Sequence, residues 1–339
     1  RLCHVDRAAV VTGAAGYLGG HLCAELVARG VQVRALTHSD RGEEVLRGLD
    51  VQTQRGDICD PQTARRLLDG LDPATTTVFH LAALVSIQSR VTAELEAVNV
   101  GGTRHVVAAC QEASVSRLVH VSSVHAQPDL PPGQVHTEAS SFDPALVHGG
   151  YAKTKAASSQ LVLDAAADLD VVVVQPSGLV GPGDTSYGPV TTMILDLAAG
   201  RLPLSIDGGY DFADVRDVAA ATAAAATLGR RGECYLLTGR YVGIDEALAV
   251  IATAAGVRPP RVTLPYAVAR ALAPGLERLA LARGQDPVIT PYSLRTLRTR
   301  AQFSHAKATR ELGYDPRDPA QSIRDAVEWL REIGELGHR

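Results

Sequence analysis

Three glycines, spaced three residues apart, lie where a β-rich run gives way to a helical one. The run Ala8–Thr12 predicts a strand, Gly13, Gly16 and Gly19 follow it, and residues with helical periodicity continue to Arg29. Glycines let the backbone turn tightly and approach a ligand closely. A helix that begins at such a turn offers free N–H groups and a partial positive charge to an anion. The strand–turn–helix context therefore predicts a pyrophosphate-binding turn.

Strand-like and helical stretches continue to alternate after this turn. Further strands are predicted near 31–36, 51–53, 76–80 and 118–121, and helices over 61–70 and 92–113. Alternation of this kind is typical of βαβ units. We therefore expect an α/β fold with a Rossmann-type, doubly wound parallel sheet.

The second half of the chain is less regular. A loop rich in Gly and Pro spans 127–150, a helix runs from Tyr151 to about Asp168, a strand follows at 171–174, and 235–237 should return to the sheet. We expect a dinucleotide-binding domain and a smaller, interwoven C-terminal substrate-binding region. Their expected bounds are 1–175 with a return near 205–240 for the first, and 176–204 with 241–335 for the second.

Composition and charge exclude several classes of function. Among 339 residues the formal net charge is −4 and aromatic residues make up 4%, which leaves no footprint for nucleic acid. No apolar run is long enough to span a membrane, and residues 1–7 form no apolar signal core, so we expect no membrane partner and a cytoplasmic location. The five cysteines show neither paired nor metal-ligand spacing, so we expect reduced thiols and no metal site.

Tyr151 and Lys155 are four residues apart on a predicted helix, so their side chains share one face. A phenol with a pKa of about 10 is a weak acid–base catalyst at neutral pH, and a neighbouring ammonium is expected to lower that pKa. Ser122 and Ser123 follow a predicted strand, at the edge where open α/β folds bind ligands. Alone, the pair could be a buried Tyr and a solvated Lys. With the serines it indicates a catalytic set of Ser123, Tyr151 and Lys155, with Ser122 as the alternative serine.

Several short motifs occur together and in a fixed order. They are the glycine turn, Gly56-Asp57-Ile58, His80-Leu81-Ala82-Ala83, Asn99 to Thr103, Ser122-Ser123, Tyr151 to Lys155, Asp211 to Val218 and Glu311 to Tyr314. This ordered set covers nearly the whole chain and resembles the extended short-chain dehydrogenases/reductases of the NAD-dependent epimerase/dehydratase superfamily. Within that family the chain is most similar to dihydroflavonol reductase-like and 3β-hydroxysteroid dehydrogenase-like reductases.

The resemblance implies a role for each matching residue. The glycines would bind pyrophosphate, Asp57 and Ile58 would contact adenine, and Asn99 would support the active site or the cofactor. Helices near 95–113 and 151–168 resemble the pair that often forms a homodimer interface in this family. The implied cofactor-binding set, including the end of the second strand, is Gly13, Ala15, Gly16, Tyr17, Leu18, Gly19, Thr37, His38, Asp57, Ile58, Leu81, Ala82, Ala83, Asn99, Ser122, Tyr151, Lys155, Pro176 and Ser177.

Two departures from the family pattern bear on the substrate. Nucleotide-sugar members carry Asn and Arg where this chain has Gly178 and Tyr210, and those side chains hold a diphosphate. The departures favour NAD(P)H-dependent hydride transfer to a small or medium, partly apolar carbonyl, with Tyr151 as the proton donor. One alternative is an NAD-dependent nucleotide-sugar epimerase or dehydratase. An alternative from another class is a non-catalytic dinucleotide-sensing protein, although such proteins tend to lose the tyrosine–lysine pair that this chain keeps.

The choice of cofactor depends on the end of the second strand. An NAD-preferring site usually presents a carboxylate there, to bind the ribose 2′-hydroxyl. This chain has neutral Thr37 and His38 at that point, with Asp40 further on, and Arg34 or Arg41 could approach a 2′-phosphate. We therefore expect NADP(H) to be favoured and NAD(H) to be tolerated, with Asp40 as the counter-argument.

Three further groups have simpler interpretations. His80 is expected at a strand end near the cofactor, and His125 at best faces the substrate. Asp214 and Asp217 are expected to cap a helix rather than to bind a metal. The arginines expected to form a solvated basic face are Arg295, Arg298 and Arg300.

Overall fold

Strands and helices alternate along the chain as far as the computed structural model describes it, over residues 8–86, 88–131, 133–282, 290–298 and 301–337. The strands are β1 (Ala8–Thr12), β2 (Gln32–Thr37), β3 (Val51–Arg55), β4 (Thr76–His80), β5 (Arg117–Val121), β6 (Val135–His136), β7 (Val171–Pro176), β8 (Gly178–Val180), β9 (Leu204–Ile206), β10 (Gly209–Asp214), β11 (Glu233–Leu237), β12 (Arg240–Gly243), β13 (Val262–Leu264) and β14 (Gln302–Phe303). The α-helices are α1 (Tyr17–Ala28), α2 (Asp40–Val45), α3 (Pro61–Arg66), α4 (Ala93–Glu96), α5 (Thr103–Ala113), α6 (Gly150–Asp164), α7 (Pro189–Ala198), α8 (Val215–Leu228), α9 (Ile244–Ala255), α10 (Tyr266–Ala282), α11 (Pro291–Arg298), α12 (Ala306–Leu312) and α13 (Pro319–Glu332).

The main sheet has the order β11-β7-β5-β4-β1-β2-β3, and all of its strand pairs are parallel. This is the doubly wound order, in which the chain leaves β1 in one direction and resumes at β4 in the other. Four consecutive valines make β7 buried on both faces, as a central strand of a parallel sheet requires. The expected Rossmann-type fold is confirmed, and so is the return of 235–237, which belongs to β11.

Helices cover both faces of this sheet. Apolar residues of α1, α8 and α12 pack on one face. Those of α3, α5 and α6 pack on the other. A π-helical turn, Ala97–Gly102, joins α4 to α5, so that the helical stretch expected over 92–113 is continuous but not regular.

The remaining elements form a smaller layer beside the sheet. Strand β10 pairs with β8 on one side and with β12 on the other, and α7, α9 and α13 bury a separate cluster around Ile194, Ile251 and Leu330 against these strands. Strands β6 and β14 form a two-stranded strap. None of the described helices is both long and apolar enough to cross a membrane.

The carboxyl ends of β1, β4, β5 and β7 meet at one edge of the main sheet. The crossovers that follow β1 and β4 lie on opposite faces, which opens a crevice between these two strands. The motif residues that directly follow these strand ends therefore lie together along one crevice.

Candidate active site

The three glycines of the turn after β1 are not equivalent. Gly13 has a φ of +70°, and a Cβ there would lie 2.7 Å from the backbone nitrogen of Ala82. A Cβ at Gly19 would overlap the carbonyl oxygen of Gly13. Gly16 is exposed, and a Cβ there would meet, among the described residues, only that same carbonyl oxygen, at 3.2 Å. Gly13 and Gly19 therefore close the turn, whereas Gly16 leaves an open cradle.

The N-terminus of α1 faces this cradle. Gly16 is the N-cap, no side chain caps the helix, and the first turn carries no acidic residue. The first backbone N–H groups of such a helix have no intrahelical partner and suit an anion. Ala15 lies beside the cradle, Leu18 packs its side chain into the core, and the Tyr17 hydroxyl donates to the carbonyl oxygen of Gly181 at 2.7 Å. A dinucleotide pyrophosphate fits this turn through its backbone.

The end of β4 forms the opposite wall of the crevice. The backbone nitrogen of Ala82 donates to Thr12 Oγ1 at 3.2 Å, and this holds the partly exposed segment Leu81-Ala82-Ala83 against the glycine turn. His80 is buried, with its ring nitrogens 2.7 Å from Thr12 Oγ1 and 2.9 Å from Thr103 Oγ1. Burial and the nearby Lys155 lower the pKa of His80 to about 3, so the imidazole is neutral. His80 therefore positions the crevice wall and does not reach the crevice itself.

Asn99 lies in the π-helical turn and links two parts of the site. Its side chain accepts from the backbone nitrogen of Leu84 at 2.7 Å and donates to Thr154 Oγ1 at 3.0 Å. Thr154 lies on α6 between Tyr151 and Lys155 in sequence. Asn99 therefore fastens the loop after β4 to the helix that carries the tyrosine–lysine pair.

Asp57 and Ile58 follow β3 at the far end of the crevice. The Asp57 carboxylate is exposed and accepts from the backbone nitrogen of Cys59 at 2.9 Å. Ile58 is buried against Gly102, where a Cβ would lie 3.0 Å from the Ile58 side chain. This arrangement leaves the Asp57 carboxylate turned toward solvent at the sheet edge.

The end of β2 carries the residues that bear on the choice of cofactor. Thr37 is buried and His38 is exposed. Asp40 is exposed and forms an ion pair with Arg55 at 2.5 Å. In the parallel register Arg55 lies directly beside Thr37, so a cation stands next to the strand end.

The two arginines that the sequence analysis brought to this point are engaged elsewhere. Arg34 donates to the carbonyl oxygens of Leu67 and Asp69 at 2.9 and 2.8 Å, so the expectation that it approaches the ribose is wrong. Its side chain leaves β2 three residues before the strand end, away from the crevice. Arg41 lies on α2 and donates to the carbonyl oxygen of Thr185 at 2.8 Å, so it links α2 to the loop that follows β8.

Ser123, Tyr151 and Lys155 are brought together beyond β5. The hydroxyl of Ser123 lies close enough to the phenol of Tyr151 to lower the pKa of that phenol. Lys155 is 3% exposed, and its Nζ donates to the carbonyl oxygen of Val121 at 2.6 Å. The spacing of four residues places both α6 side chains toward the end of β5. The cluster therefore combines a proton donor, a second hydroxyl and a buried amine.

Burial controls the pKa values of this cluster. Burial raises the pKa of Tyr151 to about 12, and the Ser123 hydroxyl opposes that rise. The expectation that Lys155 lowers this pKa is wrong here, because the loss of hydration dominates. Burial also lowers the pKa of Lys155 to about 7. At neutral pH the phenol is protonated, and Lys155 is present in both its charged and its neutral form.

The neighbouring serines have structural partners. The Ser122 hydroxyl lies 2.5 Å from that of Ser159 on α6, where it ties β5 to the helix. Pro176 ends β7 in the core, and Ser177 and Asp211 are both buried, with the Ser177 hydroxyl near the Asp211 carboxyl group. The two serines after β5 therefore contact different residues of α6: Ser123 lies near Tyr151, and Ser122 contacts Ser159.

Three rings line the side of the cluster away from the sheet, and we call His125, Tyr210 and Tyr292 the aromatic wall. The His125 ring lies 5.6 Å from that of Tyr210, 5.9 Å from that of Tyr292 and 6.2 Å from that of Tyr151. His125 Nε2 and the Tyr210 hydroxyl are hydrogen-bonded. Burial lowers the pKa of His125 to about 4 and raises that of Tyr210 well above its ordinary value, so both groups are neutral.

Two glycines make room for these rings. A Cβ at Gly178 would lie 2.6 Å from the Tyr210 ring, and a Cβ at Gly149 would lie 2.5 Å from the Tyr292 ring. Tyr210 therefore depends on the glycine that replaces the family's asparagine. Gly178 and Tyr210, the two departures from the family pattern, therefore occur together because the tyrosine ring occupies the space that a side chain at position 178 would need.

A cavity of about 50 Å³ adjoins the aromatic wall. Its other walls come from the loop after β5, from α6 and from the strap of β6 and β14, and Asp129 and Arg295 form an ion pair at 2.9 Å on its rim. Arg295 and Arg298 are both exposed, as expected for a solvated basic face, and Arg298 lies over the Tyr266 ring; Arg300 lies outside the described residues. Among the residues that the structure describes, no group of three potential ligands could hold a metal ion.

Residues 9–237 match the NAD dependent epimerase/dehydratase family. The chain belongs to this family. Membership makes the protein an NAD(P)-dependent enzyme of the extended short-chain dehydrogenase/reductase type. It is 36% identical over 331 residues to sterol demethylase protein B of Methylococcus capsulatus, across 96% of this chain and 98% of that protein.

Two further proteins are similar to this chain over nearly their whole length. The 4-hydroxy-2-methyl-3-oxo-4-farnesyl-3,4-dihydroquinoline-1-oxide ketoreductase of Stigmatella aurantiaca is 32% identical over 335 residues, across 96% of both chains. The crystal structure of gox2253 superposes with a TM-score of 0.84 at 31% identity, across 98% of this chain and 100% of that one.

Sequence reasoning missed several residues of the site. Arg55 was not considered, because its place beside Thr37 depends on the pairing of β2 with β3. The aromatic wall was seen only in part, since Tyr292 follows His125 by more than 160 residues. Asp214 caps α8 as expected, accepting from the backbone nitrogen of Arg216 at 2.8 Å, whereas Asp217 pairs with Arg317 instead.

Proposed function

We propose that the protein transfers hydride reversibly between NAD(P)H and the carbonyl or alcohol group of a small to medium, partly apolar molecule. One observation carries the proposal: the Ser123–Tyr151–Lys155 cluster opens toward a neutral aromatic wall rather than toward cations. The cluster supplies the groups that proton transfer to a carbonyl oxygen needs. The neutral aromatic wall suits an uncharged substrate.

Bound NAD(P)H supplies the hydride, and the residues of this chain manage the oxygen and its proton. Tyr151, protonated at neutral pH, donates its phenolic proton to the substrate oxygen. Ser123 Oγ hydrogen-bonds the same oxygen and stabilises the negative charge that develops on it. Lys155 holds the nicotinamide ribose and, with a pKa of about 7, returns a proton to Tyr151.

The pyrophosphate would bind at the cradle of Gly16, between the turn of β1 and the segment Leu81-Ala82-Ala83. Asp57 and Ile58 would flank the adenine, and Pro176 and Ser177 would approach the nicotinamide. Asn99 would hold the loop after β4 in place around the cofactor. The open space above Gly16 and the uncapped helix N-terminus support this assignment.

We propose that NADP(H) is favoured and NAD(H) is accepted. Thr37 at the end of β2 is neutral and its hydroxyl donates to Glu43 Oε1 at 3.5 Å, while Asp40 is paired with Arg55. A 2′-phosphate near His38 would compete with Asp40 for the Arg55 guanidinium, which offers paired donors to such a group.

A nucleotide-sugar epimerase or dehydratase is the second candidate, and the family as a whole supports it. A sugar diphosphate would need donors and positive charge near β8 and β10. Neither Gly178 nor Tyr210 supplies a cation, and Gly178 has no side-chain donor in place of the family's asparagine. The Stigmatella relative is named for a 3-oxo substrate with a hydroxyl at the neighbouring position, and this favours a ketone substrate for this chain.

We also propose that α5 and α6, which pack side by side on one face of the sheet, form a homodimer interface. Light scattering of the purified protein should give twice the chain's mass of 35.7 kDa. A monomer at micromolar concentration would contradict this assignment without affecting the proposed reaction.

The reaction is tested by following NAD(P)H absorbance with a panel of ketones and aldehydes, with both cofactors. In parallel, UDP-glucose and UDP-glucuronate are incubated with enzyme and NAD, and the products are separated by anion-exchange chromatography. Oxidation of NAD(P)H by ketones, abolished in Tyr151→Phe, would support the proposal. Conversion of a UDP-sugar without ketone reduction would refute it in favour of the second candidate.

A further inference from the structure

Tyr210 and His125 form a hydrogen bond that the proposed mechanism does not use. The two rings are stacked at 5.6 Å with an interplanar angle of 23°, which fixes the phenol relative to the imidazole. Gly178 and Phe212 hold the other side of the Tyr210 ring, so the phenol is set in place by packing on both sides.

This pair lies next to the reacting groups. The His125 ring is 6.2 Å from the Tyr151 ring, at 74° to it, and the backbone nitrogen of His125 donates to Ser123 Oγ at 3.2 Å. A substrate oxygen held by Ser123 and Tyr151 therefore has its neighbouring carbon atoms beside the His125–Tyr210 bond. A plain alkyl chain there would contact a partly buried polar pair.

Either tautomer of His125 leaves Tyr210 with one unused hydrogen-bonding function. If the phenol donates to Nε2, its oxygen can still accept; if Nε2–H donates to the phenol, its O–H is free to donate. A hydroxyl group on the substrate can donate or accept and so satisfies both arrangements. A buried polar group left without a partner is costly, so this spot discriminates between substrates.

We propose that Tyr210, oriented by His125, is a specificity determinant that selects carbonyl substrates with a hydroxyl group on the carbon next to the reacting carbonyl. This inference rests on the proposed ketone reduction and deepens it by naming the substrate class as α-hydroxy ketones. Tyr210 contacts the second oxygen, and His125 acts through Tyr210 as a positioning residue.

The test compares medium-chain 2-alkanones with their 3-hydroxy derivatives of equal chain length, by kcat/KM with NADPH. The wild-type enzyme should prefer the hydroxy ketones by about 10- to 100-fold, as expected for one buried hydrogen bond. Tyr210→Phe keeps the ring that packs on Gly178 and removes the hydroxyl, so the preference should fall toward unity. His125→Phe, which removes the orienting nitrogen, should reduce the preference as well.

Tyr292→Phe is the matched control. It removes the phenol of another ring that packs on the same imidazole, and the hydrogen bond between Tyr210 and His125 stays in place. It should keep the wild-type ratio between the two substrate series.

Two outcomes overturn the inference and are distinguishable. An unchanged ratio in Tyr210→Phe, with both ketone series still reduced, would overturn the role of Tyr210 alone. Failure of wild-type enzyme to reduce any ketone, in protein shown by calorimetry to bind NADPH, would overturn the proposed reaction and this inference with it.

Discussion

The unequal roles of the glycines in the first turn lead to a sharp prediction for Gly16→Val. A Cβ at Gly16 would meet, within the part of the chain that the structure describes, only the Gly13 carbonyl oxygen, at 3.2 Å, and would otherwise project into the open cradle. The backbone is extended there, at φ −75° and ψ 168°, which valine adopts without strain. We expect a loss of about 1 kcal/mol in folding free energy, because valine is a poorer N-cap than glycine.

The effect on the cofactor should be much larger than the effect on folding. The valine methyl groups would occupy the space that a phosphate needs to reach the N–H groups of α1. Loss of one hydrogen bond to a charged group is worth about 1.5–3 kcal/mol, which corresponds to roughly 10- to 150-fold in Kd. Isothermal titration calorimetry with NADPH measures this directly, and thermal unfolding followed by circular dichroism checks that the protein is folded.

Gly20→Val provides the control for this experiment. Gly20 lies one turn further along α1, and a Cβ there meets nothing within 4 Å among the described residues. This variant should bind NADPH as the wild type does. Gly19→Ala, in contrast, should lose stability, because its methyl group would overlap the Gly13 carbonyl oxygen. A Kd within about threefold of wild type in folded Gly16→Val would show that the open cradle does not receive the phosphate.

Three further predictions concern the proton donor, the cofactor and the response to acid. Tyr151→Phe should lower kcat by ~10²–10⁴-fold while NADPH still binds, and near-normal turnover in stopped assays would remove Tyr151 from its proposed role. Arg55→Ala should reduce the NADPH/NADH ratio of kcat/KM by about 10-fold, whereas Arg34→Ala, whose guanidinium is held by two carbonyl oxygens, should not; an equal effect of both would refute the assignment. Burial lowers the pKa of His125 to about 4, so between about pH 6.5 and pH 4 the unfolded chain binds more protons and stability falls as pH falls. At pH 5 His125 should lower the free energy of unfolding by about 2 kcal/mol. Urea unfolding at pH 7.5 and pH 5 should therefore show a smaller loss of stability on acidification in His125→Phe than in the wild type, and an equal loss would contradict this role of His125.

Short sequence patterns were enough to predict those parts of the site whose geometry depends on neighbouring residues in the chain. The glycine turn follows from its place between a strand and a helix, and the shared face of Tyr151 and Lys155 follows from helical spacing. The choice of Ser123 over Ser122 rested on position alone, and the Ser122–Ser159 contact gives the physical basis for treating the two differently.

The features that sequence could not supply depend on pairings between distant elements. Arg55 reaches Thr37 only through the register of β2 with β3, and Arg34 is drawn to carbonyl oxygens of the segment after α3. The dependence of Tyr210 on Gly178 arises because β10 pairs with β8, more than 30 residues away in sequence. The direction of the Tyr151 pKa shift was missed because burial, which depends on the whole fold, outweighs the neighbouring amine.

The position of β11 in the main sheet has a consequence for how this chain is made on the ribosome. Strand β7 has its outer edge covered only by residues 233–237, which are synthesised about 60 residues later. Throughout that interval the nascent chain already contains the glycine turn and the tyrosine–lysine pair but exposes an edge strand of consecutive valines. The unpaired backbone N–H and C=O groups of such an edge can form hydrogen bonds with strands of other chains. A fragment that stops before Glu233 would therefore carry every motif of the cofactor site and still aggregate, so the shortest useful recombinant fragment must extend through Leu237.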